Sequence, residues 1–240
     1  MEQVIFETED RTKGSGGRDT IVIKGDEHFH LARVLRVRGN EKILATDGNG
    51  TTCLCVIKRV ETDKSICEVI EEYRNLNSSL REFCIGMALL RPISKLEFAI
   101  EKCTELGASR FMLFNTERSE KVNLRVERLN GIIRAAVKQS LQSRIPALTI
   151  VRNLEDVALQ DSVCEEKFVL HEKSNIMVQK YLSGQKKNSS ELALVGPEGG
   201  FSDSEINFLV GKGFKSFSLG MPRLRSETAA IKISSLLSVY

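Results

Sequence analysis

The chain has few of the residues that mark several familiar classes of protein. It contains no tryptophan and only four prolines, while 41% of its 240 residues are hydrophobic. This composition excludes disordered and collagen-like chains and allows one large domain or two small ones. No run reaches the roughly 18 apolar residues of a membrane span. The segment Met1–Val4 also lacks the basic and apolar regions of a secretory signal. We therefore expect a globular chain in the cytoplasm without a membrane partner.

The cysteines show no pattern of metal binding or disulfide pairing. There are six, none in a CxxC pair and none at zinc-site spacing from a histidine. Cys84 and Cys103 stand among apolar residues, where a free thiol behaves as a small hydrophobic group. The sequence therefore predicts reduced, buried thiols and no metal site.

The positive charges are clustered, although the net charge is only +3. One basic patch lies within residues 24–42 and a second within residues 134–144. Their members are Lys24, Arg33, Arg36, Arg38 and Lys42 in the first, and Arg134, Lys138 and Arg144 in the second. Two such patches indicate a polyanionic partner more strongly than the net charge does. For either patch alone, a solvated surface is the favoured interpretation.

Residues 1–72 have the pattern of short strands joined by turns. Thr20–Lys24 and Ile66–Ile70 are short and β-branched, and Glu41–Thr46 and Thr51–Arg59 flank Asp-Gly-Asn-Gly, a strong hairpin signal. This pattern predicts a small β-barrel or sheet. Residues 13–17 are predicted to form a mobile loop, and the polar residues 71–82 to form a linker.

From residue 73 onwards, the pattern predicts strands that alternate with helices. Phe83–Leu90 is a continuous apolar run, typical of a strand buried on both faces. Ser94 and Glu97 have capping-box spacing before a helix that stops at Gly107. A strand at Arg110–Phe114 and a helix across about 124–142 are predicted next.

The last third continues this alternation. Ser202 and Glu205 form a second predicted capping box, and a final helix is predicted from about Ser226. Three further strands are predicted at Lys167–His171, Glu191–Val195 and Ser216–Leu219. The fold class is therefore α/β, with a mainly parallel sheet in residues 73–240 preceded by the β domain in residues 1–72.

Three loops follow predicted strands, where ligands bind in parallel α/β sheets. They are residues 171–174, 196–201 and 220–228. The second loop is rich in glycine, which permits close approach of a ligand to the backbone. It lacks both the Lys-Ser/Thr of a P-loop and the GxGxxG spacing of dinucleotide sites. By spacing alone it fits an ordinary tight turn somewhat better than a ligand loop.

The third loop carries a dense group of polar residues where a strand passes to a helix. Ser226 is a candidate N-cap, and Glu227 complements the helix dipole. For Arg225, a surface salt bridge is the alternative to a functional role. We favour the functional role because Arg225 adjoins the glycine loop in the predicted architecture.

Several segments resemble one known family. Leu194–Ile206 (LVGPEGGFSDSEI) and Leu219–Ala230 (LGMPRLRSETAA) resemble the paired terminal motifs of the 16S rRNA uracil-N3 methyltransferases, in the SPOUT superfamily. Further matches follow the family's order along almost the whole chain, at His30–Arg36 (HLARVLR), Lys95–Gly107, Glu117–Ser119 and Ala135–Pro146.

The resemblance implies a PUA-like β-barrel that binds RNA and a second domain with a trefoil knot. It also implies a homodimer, the small ribosomal subunit as partner and S-adenosylmethionine as cofactor. The implied cofactor-binding residues are Leu170, His171, Gly196, Glu198, Gly199, Gly200, Leu219, Gly220, Leu224 and Thr228. The implied catalytic residues are Arg225 and Glu227. The expected RNA-binding residues are Lys24, His30, Arg33, Arg36 and Arg144.

Two positions depart from the family pattern. Pro222 stands where the family usually has arginine, which leaves the role of Arg223 open. Leu141-Gln142 replaces the family's Gly-Arg, and Arg144 is the candidate substitute. The alternatives are methylation of another RNA position, a non-catalytic RNA-binding protein with the same fold, and nucleotide hydrolysis. The last is disfavoured because the P-loop residues are missing.

The expected chemistry assigns distinct roles to two side chains. Neutral uracil N3 carries a proton, so methylation must remove it and stabilise charge that spreads onto O2 and O4. Arg225 suits the second task because a guanidinium stays cationic and offers several donors. Glu227 is either the base or the group that orients Arg225. We favour orientation, since nothing in the sequence marks this carboxyl as a base.

Overall fold

The computed structural model describes residues 1–14, 17–79, 81–119, 122–160, 164–184 and 190–239. Two residues of the predicted loop 13–17 thus lie outside the described residues. The chain divides into two compact units. The first unit comprises Met1–Ser78 and Val137–Ile145, and the second comprises Ser79–Ala136 and Pro146–Tyr240.

The first unit contains a six-stranded sheet with the order β1-β4-β5-β6-β3-β2. Its neighbours are antiparallel, except for the parallel pair β1 and β4. A helix α1 (Gly25–Phe29) continues as a widened π turn over His30–Leu35. The strands are β1 (Gln3–Ile5), β2 (Arg11–Lys13), β3 (Asp19–Lys24), β4 (Lys42–Thr46), β5 (Thr51–Val60) and β6 (Lys64–Arg74).

The predicted hairpin is confirmed, and the predicted linker begins too early. β4 and β5 pair as antiparallel strands, and the carboxylate of Asp47 accepts hydrogen bonds from the backbone N–H of Asn49 and of Thr51 at 2.8 and 3.0 Å. The linker prediction is wrong for residues 71–74, because β6 extends to Arg74 in register with β5. These strand residues are polar because they are exposed, so their composition resembled that of a linker.

An apolar core lies inside the first unit. Leu31, Ile43 and Ile57 are among its buried members, as is Cys67, whose thiol pKa is raised by burial to about 12. All six cysteines of the chain are buried and free, which confirms the prediction of buried thiols.

The second unit contains a six-stranded sheet in which every pairing is parallel. This confirms the predicted α/β class. The two central strands, β11 and β7, are buried at every residue, as their apolar sequences predict. The order is β12-β10-β11-β7-β8-β9. The strands are β7 (Phe83–Ala88), β8 (Arg110–Phe114), β9 (Ala147–Ile150), β10 (Glu166–Leu170), β11 (Glu191–Val195) and β12 (Lys215–Phe217).

Most of the helices belong to the second unit. They are α2 (Ile93–Glu105), all but the last turn of α3 (Val126–Gln139), α4 (Leu154–Gln160), α5 (Val178–Leu182), α6 (Asp203–Gly211) and α7 (Ser226–Val239). The short helices α4 and α5 and the mostly exposed edge strand β9 are not among the predicted elements. Within the described residues, no helix is long and apolar enough to cross a membrane.

Only one of the two predicted capping boxes is present. At α6, the Ser202 hydroxyl accepts from the Glu205 backbone N–H, and the Glu205 carboxylate accepts from that of Ser202. At α2 the prediction is wrong. The helix begins one residue before Ser94, directly after Pro92, and the Glu97 carboxylate accepts from Arg128 instead.

Candidate active site

A cavity of about 730 Å³ opens at the carboxyl ends of three neighbouring strands, β12, β10 and β11. Its wall is built mainly from residues 170–173, 195–201 and 219–226, which lie at or after the ends of those strands, together with Asp203 and Ala229. Parallel strands present their carboxyl ends at one edge of the sheet, so three segments distant in sequence meet here. The volume lies within the range of small-molecule sites.

Most of the predicted cofactor residues lie in this wall. They are Leu170, His171, Gly196, Glu198, Gly199, Gly200, Leu219, Gly220 and Leu224. Arg225 joins them, whereas Glu227 and Thr228 follow it on α7 outside the wall. Arg118, in the segment after β8, is a wall residue that the sequence reasoning assigned to no role. Its signal was the Glu117–Ser119 motif.

The glycine loop (residues 196–201) makes a tight turn with little room for side chains at two of its glycines. A Cβ atom at Gly196 would lie 3.1 Å from the Phe201 ring and 3.1 Å from the Phe201 backbone nitrogen, and one at Gly199 would lie 3.3 Å from Arg118 Cδ. Gly200 has φ +66°, and its N–H donates to the Pro197 carbonyl at 2.8 Å. The loop therefore keeps a compact turn that larger residues would disturb.

Two other segments brace the glycine loop. Arg118 donates to the Gly199 carbonyl at 2.7 Å, and Lys95 on α2 forms an ion pair with Glu198 at 3.0 Å. Glu205 completes the connection, because one carboxylate oxygen closes the capping box and the other accepts from the Glu117 N–H at 2.9 Å. The loop after β8 thus donates hydrogen bonds both to the glycine loop and to α6, which directly follows that loop.

The two arginines of the third loop (residues 220–228) have different surroundings. Arg223 forms an ion pair with Glu172 at 3.2 Å. Arg225 is exposed and has no ion-pair partner within the described part of the chain, so the alternative of a surface salt bridge fits Arg223 and not Arg225. The Arg225 carbonyl accepts from the Ala229 N–H at 2.8 Å. Arg225, rather than the predicted Ser226, therefore occupies the N-cap position of α7.

Glu227 lies in the first turn of α7 and is half-buried. Its Oε2 atom is inaccessible to solvent and accepts no hydrogen bond from the residues that the structure describes. No ion pair joins it to Arg225 in this part of the chain. Orientation of Arg225 by Glu227 therefore stays a prediction.

The predicted RNA-binding residues all lie in the first unit. Three of them contact polar side chains, and the other two are exposed. Lys24 pairs with Asp10 at 2.5 Å, His30 lies 3.3 Å from a Glu2 carboxylate oxygen, and Arg144 donates to Asn75 at 3.0 Å. Arg33 and Arg36 are exposed on the π turn and at its end. Across the described ranges, no cluster of histidine, cysteine and carboxylate side chains has the composition of a metal site.

The sequence and the fold match a known class of protein. Residues 77–238 match the family model of the RNA methyltransferase domain, and residues 23–70 match that of the RNA methyltransferase PUA domain. The chain belongs to this RNA methyltransferase family, in the group whose curated members carry the name ribosomal RNA small subunit methyltransferase E.

Individual relatives cover nearly all of the chain. The Bacillus subtilis protein of that name is 30% identical over 230 residues, which span 91% of this chain and 90% of the relative. A Porphyromonas gingivalis structure, described as a probable rRNA methyltransferase, is 25% identical with a TM-score of 0.79 and covers 99% of this chain and 98% of its own. The Neisseria gonorrhoeae methyltransferase E, solved with S-adenosyl methionine bound, is 23% identical with a TM-score of 0.84. That match covers 98% of this chain and 95% of the neighbour.

Proposed function

We propose that this chain uses S-adenosylmethionine to methylate N3 of a uracil in the 16S rRNA of the small ribosomal subunit. The observation that carries the proposal is the cavity at the ends of β10, β11 and β12. It brings the glycine loop together with Arg225, the cationic side chain that the reaction requires. In this proposal, residues 1–72 bind RNA and residues 73–240 carry out the transfer.

The cavity suits a cofactor of this kind. Glycines at 196, 199 and 200 leave main-chain groups open to close approach, and the apolar side chains of Leu170, Val195, Leu219 and Leu224 supply a nonpolar wall. Small-molecule sites commonly combine an apolar wall with a few fixed polar groups. S-adenosylmethionine would supply the methyl group. The protein residues would hold it close to the base and in line with N3.

Arg225 is the proposed catalytic group. Its side chain is exposed at the cavity wall, and it is not neutralised by a carboxylate among the described residues. A free guanidinium can donate to the uracil oxygens as N3 loses its proton and negative charge develops on O2 and O4. Glu227 lies two residues further along α7 and is proposed to orient Arg225 when RNA is bound.

The proposed substrate follows from the names of the relatives. The curated relatives act on the RNA of the small ribosomal subunit according to their names, and the uracil-N3 position follows from the sequence resemblance. The same resemblance supports a trefoil knot in the second unit, a homodimer and action in the cytoplasm. A methyltransferase of this family acting on another RNA position is the second candidate.

The test is methylation of small subunits from a strain that lacks this gene. The protein is incubated with these subunits and labelled S-adenosylmethionine, and the RNA is then digested to nucleosides. Label in 3-methyluridine is the expected result. Label in another nucleoside would favour the second candidate. Cofactor binding without any label would point to another RNA substrate, and no cofactor binding would favour a non-catalytic protein.

A further inference from the structure

An apolar group of side chains is exposed on the first unit, outside the cavity. Phe29 ends α1 with 60% of its surface exposed, and Val34 in the following π turn is 59% exposed. Leu31 between them is fully buried and anchors the segment to the core. Exposed apolar side chains grouped on one short segment mark an interaction surface more often than isolated ones do.

The same segment carries two unneutralised positive charges. Arg33 and Arg36 are both exposed, and neither has a carboxylate partner in the described part of the chain. The neighbouring basic side chains differ, because Lys24 and His30 both contact carboxylates. Arg33 and Arg36 therefore carry free positive charge on the same short segment as the exposed Phe29.

These side chains all belong to one short helical segment, residues 29–36. In a π turn, hydrogen bonds join residues five apart, which brings positions five apart over each other. Phe29 and Val34 are related in this way. The turn ends at Arg36, whose backbone is left-handed with φ 54° and ψ 41°. The Val37 N–H then donates to the Leu31 carbonyl at 3.1 Å and fixes this end. Four exposed residues of this segment are together named the Phe29 surface (Phe29, Arg33, Val34 and Arg36).

We propose that the Phe29 surface binds a single-stranded segment of RNA, with one unpaired base stacked on the Phe29 ring and backbone phosphates at Arg33 and Arg36. This inference rests on the proposed function, in which RNA is the substrate. It adds that the RNA bound by the first unit is single-stranded. Proteins bind single strands by combining basic grooves with aromatic side chains on which bases stack. A duplex keeps its bases stacked inside and offers no free face to the ring. Because Arg33 and Arg36 are positively charged, this surface would repel a partner that is itself basic.

The test compares RNA that has bases with a matched polymer that has none. The probes are a fluorescent oligouridine of about 12 nucleotides and an abasic ribose-phosphate oligomer of the same length. Binding to the full-length protein is followed by fluorescence anisotropy. Phe29→Ala is expected to bind oligouridine roughly tenfold more weakly and the abasic oligomer as well as the unmodified protein does, because one stacked base is lost. Phe29→Tyr, which keeps a ring, should bind both probes normally.

The arginines should behave differently from the ring. The double variant Arg33→Gln with Arg36→Gln is expected to weaken binding of both probes. It should also lower the slope of log affinity against log salt by about 0.7 for each lost phosphate contact. Val60→Ala, at an exposed apolar residue on β5, is the matched control and should change neither probe. Phe29→Leu separates the ring from its apolar character and should resemble the alanine variant.

Three results would overturn the inference. They are normal oligouridine binding by Phe29→Ala, equal weakening of both probes by that variant, and stronger binding of duplex RNA than of oligouridine by the unmodified protein. Normal oligouridine binding together with a loss of self-association would reassign the surface to a protein partner. The proposed function is judged separately, because formation of 3-methyluridine in small subunits can succeed even where the Phe29 variants refute the stacking role.

Discussion

Gly196 gives the sharpest test of the glycine loop at the scale of a single residue. A Cβ atom at this position would meet both the ring and the backbone nitrogen of Phe201 at 3.1 Å. Because Phe201 is buried and stacks on Phe114, the loop rather than the ring would have to move. We expect Gly196→Ala to weaken S-adenosylmethionine binding by about tenfold or more, since overpacking costs about 1–3 kcal/mol. Isothermal titration calorimetry measures this directly.

The matched control for Gly196→Ala is Gly131→Ala on α3. A Cβ atom at Gly131 would meet nothing within 4 Å. Alanine is also the better helix former, so this variant should be as stable as the parent or slightly more so, with unchanged cofactor affinity. Equal affinities for the two variants would show that the cofactor does not depend on the tight turn at Gly196.

Substitution of Arg225 can separate an effect on the chemical step from an effect on cofactor binding. Its side chain lines the cavity, while its structural contribution to α7 is made by the backbone carbonyl. Arg225→Ala should therefore fold normally. We expect kcat to fall by roughly a hundredfold, the usual loss for one donor to a developing negative charge, with little change in cofactor affinity. Single-turnover kinetics and calorimetry give the two quantities.

Arg223→Ala is the control for Arg225→Ala. Arg223 lines the same cavity but already pairs with Glu172, and exposed ion pairs contribute little to stability. Its loss should reduce kcat far less. A fall in kcat matched by an equal fall in cofactor affinity for Arg225→Ala would remove Arg225 from the chemical step.

At the scale of the element, two identical sequence signals had different outcomes. Both Ser94 and Ser202 are followed by glutamate three residues later, yet only Ser202 caps a helix. Pro92 can start α2 without a side-chain cap, and Glu97 has Arg128 within reach. The sequence pattern cannot contain that information, because Arg128 reaches Glu97 only through tertiary packing.

Buried elements were predicted better than exposed ones for a related reason. The apolar runs of β7 and β11 and the turn residues of the β4–β5 hairpin are set by local chemistry, and their prediction was confirmed. The polar end of β6 and the exposed strand β9 owe their conformation to pairing with a neighbour. At the candidate site, the loops could be predicted from strand ends and glycines. The bracing by Arg118 could not, since it depends on where β8 lies beside β7.

At the scale of the element, Glu205 joins α6 to the loop after β8, and this role can be tested. It is 7% exposed, and its two oxygens accept from the backbone N–H groups of Glu117 and Ser202. Glutamine would turn an NH₂ donor towards one of these N–H groups. We expect Glu205→Gln to lower the free energy of unfolding by about 1–3 kcal/mol, the cost of a buried donor without an acceptor. Urea unfolding measures the loss, and hydrogen exchange identifies which amide is freed.

Asp203→Asn provides the comparison for Glu205→Gln. Asp203 is also in the first turn of α6, but its side chain is 81% exposed and reaches Lys173 only at 3.5 Å. This variant should unfold within about 0.5 kcal/mol of the parent. Unchanged stability and unchanged amide exchange in Glu205→Gln would mean that the glycine loop is held without Glu205.

At the scale of the whole molecule, the first unit is built from two separate stretches of sequence. The segment Val137–Ile145 belongs to it, although more than fifty residues of the second unit intervene. The Gln142 carbonyl accepts from the buried Gln3 amide at 2.8 Å. The Ser143 carbonyl accepts from the Gly50 N–H at 2.9 Å. A change in composition along the chain predicts only contiguous domains, so it could not assign this segment to the first unit.

The division predicts that a fragment of residues 1–78 does not fold like the intact unit. Removing Val137–Ile145 leaves Gln3, which is 1% exposed in the full chain, and the amide of Gly50 without their acceptors. Each lost hydrogen bond costs about 0.5–1.5 kcal/mol, and the lost burial of Val137 adds to this cost. Together these losses are a large part of the stability of a small domain. We expect the fragment to lose cooperative urea unfolding. Joining residues 137–145 to it through a flexible Gly-Ser linker of about 15 residues should restore that cooperativity. A fragment 1–78 that unfolds cooperatively by itself would instead show that the segment is attached to the first unit without stabilising it. RNA binding could then be assigned to a contiguous N-terminal domain.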